Sequence, residues 1–543
     1  MTNVSGAEAL LLEILGIRFL TYLLNVDEGI LDKRLQDGKA LPPQQEAVLA
    51  ELVAFLGKIP RTHQTDRLSL AAALAELARF RPDVNMGWST AARVAAGGDV
   101  DVPKGKDGLD RALVDMARDV YPLFLIPPQA ELQFHTMRGP ATTAVVLAHP
   151  QHTTFENAVL ADDVLSQLFP DEDKHTGRSG MVYKSTGSGG GMQLSMFADT
   201  LLRSAWEYAA YRDPHPSPMA FAKEALGFLP FTRKAVKGER LKIPAMIGVT
   251  GIRVPAGTQL DLPWGRLREV TEHDQRLIPP SLSGQVSHTA ADGSHVTVDY
   301  AGDLVMELDV PYKITIGEID TQAWAKQLHT AHDVEQKLET LRLALLLGTS
   351  RRPTPIALGT WRYFLDPLAQ GFGMSWADPR QMPMFNPAAL SGAEAKSWKD
   401  WTERVDNGRV KSIDIAVRRT LRATAERADP TDALIDAVIA WENLVGSQKG
   451  EPTLRVSAAL AWLLGADAKE RKKLKKVIGE LYSIRSGVVH GTRNLDPKEA
   501  GERREEALDI TIRSLQILFR DRHDLLTECK DGGERSNRLI LGG

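Results

Sequence analysis

Apolar positions recur at helical spacing through most of the first 230 residues. They predict helices over Gln44–Leu56, Ser69–Arg79, Asp107–Val120, Glu156–Leu168 and Gln193–Tyr211, joined by Pro- and Gly-bearing loops. The apolar run Ala9–Asn25 carries Glu13 and Arg18 and lacks a basic leader or small-residue cleavage site. It reads as an amphipathic helix docked on the rest of the protein, not a signal peptide or membrane span. The run Ala144–Leu147 suits a strand, but four residues do not decide it.

From Arg240 to Gly317 alternation replaces helical spacing. Leu304, Met306, Leu308, Val310, Tyr312, Ile314 and Ile316 share one parity, while Glu307, Asp309, Lys313 and Thr315 take the other face. Pro311 cannot donate to a ladder and marks an edge strand or a break between two strands. His295–Tyr300, after the turn signal Asp292-Gly293, is the expected hairpin partner. Ala331–Leu347 returns to helix, and Thr349–Pro387 is Pro- and Gly-rich and stays unassigned. A helical pattern then runs from about Asn407 to Leu526.

The expected fold class is therefore α+β and multidomain. Its parts are a mainly helical N-terminal region over 1–235, a small β-rich domain over 236–320, and a mixed connecting region over 321–407. An all-α helical bundle over 408–530 and a flexible tail over 531–543 complete it.

Composition narrows the chemistry. The 543 residues carry 66 Lys plus Arg against 70 Asp plus Glu, a net charge of −4, too balanced for a chain coated in basic charge. The one cysteine, Cys529, excludes an intrachain disulfide and a Cys-rich zinc site and points to a reducing, cytoplasmic setting. The glycine-rich Ser185–Gly191 lacks the Lys-Ser/Thr of a phosphate-binding loop and the G-x-G-x-x-G spacing, and reads as a flexible connector. His149, His152 and the Asp171–His175 cluster match no metal-ligand set and read as solvated loops. No cofactor, metal or membrane is expected.

The C-terminal helices place charges on lines that should face a core. Ile478, Leu481, Tyr482, Val488 and Val489 form a stripe whose missing member is Arg485. Ile435, Val438 and Ile439 form another, continued by Glu442. A lone ion buried on either stripe costs several kcal/mol, so the two are expected to pair with each other or with another buried group, with Arg455 a third candidate for the network. His490 follows Arg485 by five residues, about 500° of helix, so the two converge only if the helix tightens or ends between them. Gly487 and Gly491 bracket that stretch. An arginine that clamps a phosphate and a histidine that titrates near neutrality suit RNA cleavage without a metal.

The run Arg485-Ser-Gly-Val-Val-His490 fits the R-x4–6-H motif and resembles HEPN domains. The fuller run Glu480–Gly491 is similar to the Apea-like HEPN branch, as are Leu434–Glu442 upstream and the helix from Arg455 to Leu464-Gly465. The resemblance covers about 120 residues, from near Val410 to Leu526. It implies a four- or five-helix bundle that forms a homodimer, with two motifs around a shared cleft. It further implies metal-independent cleavage of single-stranded RNA or tRNA loops, leaving a 2′,3′-cyclic phosphate. Such proteins act as toxins or in anti-phage defence and abortive infection, where an associated region senses a phage-derived trigger. By resemblance Arg485 holds the phosphate, His490 is the acid/base and Glu442 positions Arg485. Some members are non-catalytic RNA-binding or dimerisation modules, in which the Arg/Glu pair is structural.

Charge adds RNA-binding candidates. Six of the eight residues Lys469–Lys476 are basic, including Lys472, Lys473, Lys475 and Lys476. The run is either a solvated face or a phosphate-tracking patch. Lys411–Lys530 holds 22 basic and 19 acidic residues, so the rest of the chain is the more acidic part. Arg455 joins the RNA-facing set, and Tyr482 either stacks a base or packs in the core.

Overall fold

Long periodic segments settle as helices and the β-branched stretch after residue 240 as short strands. The result is a mixed α/β chain with several small sheets and a helical C-terminal region. The computed structural model describes residues 6–60, 62–63, 67–127, 141–175, 177–271, 274, 285–289, 295–299, 302–351, 354–369, 374–376, 388–447 and 451–542. Among them no helix is long and apolar enough to cross a membrane. Two compact units emerge, neither a consecutive stretch. One comprises Met1–Pro244, Val310–Ala331 and Tyr363–Met374; the other Ala245–Asp309, His332–Arg362 and Ser375–Gly543.

In the first unit, the N-terminal helix Gly6–Leu24 buries Leu11, Leu15, Phe19 and Leu23. It breaks at Gly16 (φ 73°), where a Cβ would stand 2.6 Å from Pro127. Helices Pro43–Lys58, Arg67–Ala75 and Gly108–Val120 follow the expected periodicity, the last capped by Asp107, which accepts from the Asp110 amide at 2.8 Å. The helix expected over Glu156–Leu168 is instead Gln151–Ala161 followed by a 3₁₀ turn, Leu165–Leu168. Asp162 causes the break, its side chain accepting from the amides of Val164 and Leu165 at 3.0 and 2.9 Å. Ala144–Leu147 lies in a helix, Thr142–Leu147, pinned by the Thr142 and Thr143 hydroxyls on the Asp199 carboxylate.

The glycine-rich segment is a β-hairpin, not a connector. Strands Gly177–Lys184 and Gly189–Gln193 pair antiparallel, and Gly187 (φ 97°) turns between them. A Cβ on Gly189 would meet Tyr183 at 2.7 Å and Trp324 at 2.8 Å. His149 and His152 are buried rather than solvated. His149 Nε2 lies 3.2 Å from Asp119 Oδ2, His149 Nδ1 accepts from the Gln151 amide, and His152 Nε2 sits on the Ser195 carbonyl. Asp171–His175 is exposed, as expected, but Asp171–Asp173 is an edge strand paired antiparallel with the start of Gly177–Lys184 rather than a loop.

The six-stranded sheet that runs through the second unit is ordered Met374–Trp376, Leu358–Phe364, Leu241–Thr250, Leu304–Tyr312, Gly265–Glu269, Leu260–Leu262. Leu304–Tyr312 pairs antiparallel with Gly265–Glu269 and not with His295–Asp299, which pairs with Gln285–Thr289. The turn signal Asp292-Gly293 lies outside the described residues. Pro311 adjoins a break: its strand ends at Tyr312, and a new strand, Ile314–Ile316, joins another sheet. Alternation misplaced Glu307: both faces of this strand are covered as far as Leu308, so its carboxylate is buried, while Asp309 and Pro311 further along are exposed. Arg266 and Arg268 bond to it, and Arg268 also forks onto Asp274 at 2.6 and 3.0 Å. Burial pushes the Asp274 carboxyl up, but the Arg268 bonds outweigh that and hold it below the usual range.

The C-terminal helices of this unit are Gly392–Gly408, Asp414–Leu421, Pro430–Val445, Pro452–Leu464, Ala468–Val489, Pro497–Arg520, His523–Thr527 and Gly532–Leu541. Pro430–Val445 is central, packing on Asp414–Leu421, Pro497–Arg520 and Gly532–Leu541. Its Trp441 is fully buried and donates to Thr511 Oγ1 at 2.8 Å. The segment expected to be a flexible tail is instead the helix Gly532–Leu541. Its Arg535 is wholly buried and donates to the Leu444 and Asn443 carbonyls at 2.6 and 3.1 Å. A cation there satisfies carbonyls that a helix C-terminus leaves open.

Candidate functional site

The helix Ala468–Val489 carries the motif. Asp467 caps its start, accepting from the Glu470 amide at 2.8 Å. Gly491 (φ 68°) closes its end, with the Thr492 and Arg493 amides bonded to the Gly487 carbonyl at 2.9 and 3.1 Å. The helix stays regular through Val489 and ends there, one residue before His490, whose amide still bonds to the Ser486 carbonyl at 3.0 Å, so helical spacing between Arg485 and His490 is kept. The two side chains leave the axis about 140° apart.

The core stripe is offset from the expected one. Ile478, Leu481, Tyr482 and Ile484 are buried, whereas Val489 is 49% exposed. On Pro430–Val445 the buried face is Leu434, Ala437, Val438, Trp441 and Leu444, and Ile435, Ile439 and Glu442 form a half-buried flank. Packing partners on two sides selected that face, which periodicity alone left open. Arg485 and Glu442 consequently meet at the edge of the core. Their side chains are 20% and 32% exposed, with Nη2 and Oε2 3.8 Å apart.

Tyr482 completes this group by donating its hydroxyl to Glu442 Oε1 at 2.5 Å. Burial and the adjacent carboxylate push its phenol up to about 12, with Arg485 acting in the opposite sense. With its ring in the core, Tyr482 is not presented for base stacking. Arg485 Nε is buried and makes no hydrogen bond among the described residues. Arg455 stands apart from the Glu442–Arg485 pair and donates to Asn537 Oδ1 at 2.8 Å. His490 occupies the C-cap, its amide bonded to the Ser486 carbonyl at 3.0 Å and its side chain exposed.

Two features escaped the periodicity. The deeply buried carboxylate of Pro430–Val445 is Asp436, held by Arg419 and, at 2.8 Å, by Arg427. A groove of about 710 Å³ also opens beside the motif helix, lined by Lys472, Lys475 and Lys476 but not by Lys473. Arg493 and Arg503 line it too, and no spacing in the sequence links them to the lysines. Compared with known proteins, the chain matched no family model, no curated protein and no solved structure.

Proposed function

We propose that the C-terminal helices form a HEPN-type endoribonuclease in which His490 and Arg485 act on one RNA phosphodiester without a metal ion. The observation that carries this reading is the Arg485–Glu442–Tyr482 group, carried by the helix whose end presents an exposed His490. Neither motif residue is sealed in the core. In the reaction the ribose 2′-oxygen forms a bond to phosphorus and the bond from phosphorus to the 5′-oxygen breaks. Imidazole takes the 2′-hydroxyl proton, and a proton is returned to the 5′-oxygen, leaving a 2′,3′-cyclic phosphate and a 5′-hydroxyl. Arg485 offsets charge on the non-bridging oxygens, and Glu442, fixed by Tyr482, keeps the guanidinium in place.

Because Arg485 and His490 diverge around the helix axis, a second copy of the chain supplies the complementary motif across a homodimer cleft. The remainder of the chain regulates the nuclease or senses a phage-derived trigger, in a cytoplasmic anti-phage or toxin-type role. The same divergence favours a second reading, a non-catalytic RNA-binding or dimerisation module with a structural Arg/Glu pair. Cleavage of labelled tRNA or single-stranded RNA in EDTA separates the two. His490→Ala is expected to abolish cutting while the protein stays folded; equal cutting by the variant rejects the nuclease.

A further inference from the structure

The groove beside the motif helix lies on the side of His490, not of Arg485. At 100° per residue, Lys476, Gly479, Ser483 and His490 all fall within about 40° of Lys472 around the axis. Arg485 falls about 140° from that line, towards Ile478 and Leu481 and the Glu442 carboxylate. On the motif helix the lining runs along this line from Lys472 through Lys476, Gly479 and Ser483 and stops short of His490, and Arg485 does not border it.

Its chemistry selects a polyanion. Five cations, Lys472, Lys475, Lys476, Arg493 and Arg503, line it with two carboxylates, Glu451 and Glu480. Arg493 and Arg503 each pair with a carboxylate beyond the lining, Glu499 and Glu506, at 2.7 Å, and Lys476 lies 3.8 Å from Glu480, so Lys472 and Lys475 carry the excess charge. The hydroxyl of Thr453 adds a donor, while those of Ser457 and Ser483 donate to the Leu454 and Gly479 carbonyls. Among the described residues no aromatic ring lines the groove, which suits a backbone better than stacked bases.

We infer that this groove is the track for the phosphodiester backbone of single-stranded RNA. It runs along the helix from Lys472 and points to His490, about 27 Å further on at 1.5 Å per residue. Substrate reaches the site from the histidine's side. The inference rests on the proposed nuclease for what the track feeds, but not for binding itself.

The test uses the full chain carrying His490→Ala and a fluorescein-labelled oligouridylate of about 12 nucleotides, followed by anisotropy between about 50 and 200 mM salt. Lys475→Glu with Lys476→Glu is expected to weaken binding roughly tenfold or more. It should also flatten the log–log salt slope by about 1.4, or about 0.7 for each phosphate no longer neutralised. The milder Lys475→Ala with Lys476→Ala should move both in the same direction. Lys396→Glu, an exposed charge outside the groove, should leave affinity within about twofold. Equal loss in Lys396→Glu, an unchanged salt slope, or displacement of the RNA by tripolyphosphate at equal phosphate overturns the track, the last in favour of a free-phosphate site. Failure of the nuclease reads differently: groove variants lose binding while the chain with His490 intact cuts nothing. If that chain cuts RNA and the groove variants cut sub-saturating RNA at its rate, the track falls and the nuclease stands.

Discussion

The Tyr482 hydroxyl and Glu442 Oε1 form a 2.5 Å hydrogen bond between two helices whose residues are 40 positions apart. One carboxylate oxygen is thus held by a neutral donor, while the other faces Arg485. The phenol acts on Arg485 only through Glu442, which makes Tyr482 a positioning residue.

Tyr482→Phe keeps the buried ring and removes the donor. A hydrogen bond to a charged acceptor contributes about 1.5–3 kcal/mol, and Glu442 is partly solvated, so the expected loss lies near the lower figure. Urea unfolding measures it. In the proposed nuclease the same variant should lower kcat more than KM, and an unchanged kcat would show that Glu442 is oriented by other groups.

Alkaline stability should respond as well. Tyr482 titrates at about 12 in the folded protein against 10.0 ordinarily, so the native state keeps a proton that the unfolded chain releases. Its stabilisation is complete below about pH 10 and is lost as pH rises towards about 12. The stability gap between wild type and Tyr482→Phe should therefore narrow across that window. A constant gap would remove the phenol from the account.

Asp436 is the carboxylate on which this end of the bundle depends. It is 1% exposed and answers both Arg419 and Arg427, whose guanidinium groups are partly solvated. Asp436→Ala should destabilise the protein by about 1.5–3 kcal/mol, because it removes charge-assisted hydrogen bonds to two guanidinium groups that water can still reach. Arg419→Ala or Arg427→Ala should each cost less, since the other arginine remains. Thermal melts of the three variants give the ranking.

Arg535 should prove structural despite lying near the end of the chain. Burial lowers its pKa, and its nearest partners are carbonyls rather than a carboxylate. Arg535→Met fills much of the volume but leaves the Asn443 and Leu444 carbonyls without this donor, a cost of about 1–3 kcal/mol for each group left buried and unpaired. Amide exchange should rise first in the last turn of Pro430–Val445, the turn that carries Glu442. Protection unchanged there would show that other groups hold that helix end.

Local patterning settled much of this protein. Apolar periodicity placed most of the helices it singled out within a few residues, and the single parity from Leu304 to Ile316 marked the strand region, but helices such as Pro218–Val236 and Gly392–Gly408 were not singled out. The sequence also named Glu442, Arg485 and His490, because a charge interrupting an apolar stripe is visible without a structure. What it left open was which side each helix turns inward. A helix buries the face its neighbours cover, so Asp436 went deep while Glu442 stayed on the flank, and Ile484 displaced Val489. Strand pairing was likewise decided at long range, where Gly265–Glu269 and not His295–Asp299 took the place beside Leu304–Tyr312. Only tertiary structure gathers Arg493 and Arg503 with the lysines of another helical turn, because a groove is a relation between surfaces and has no period along the chain.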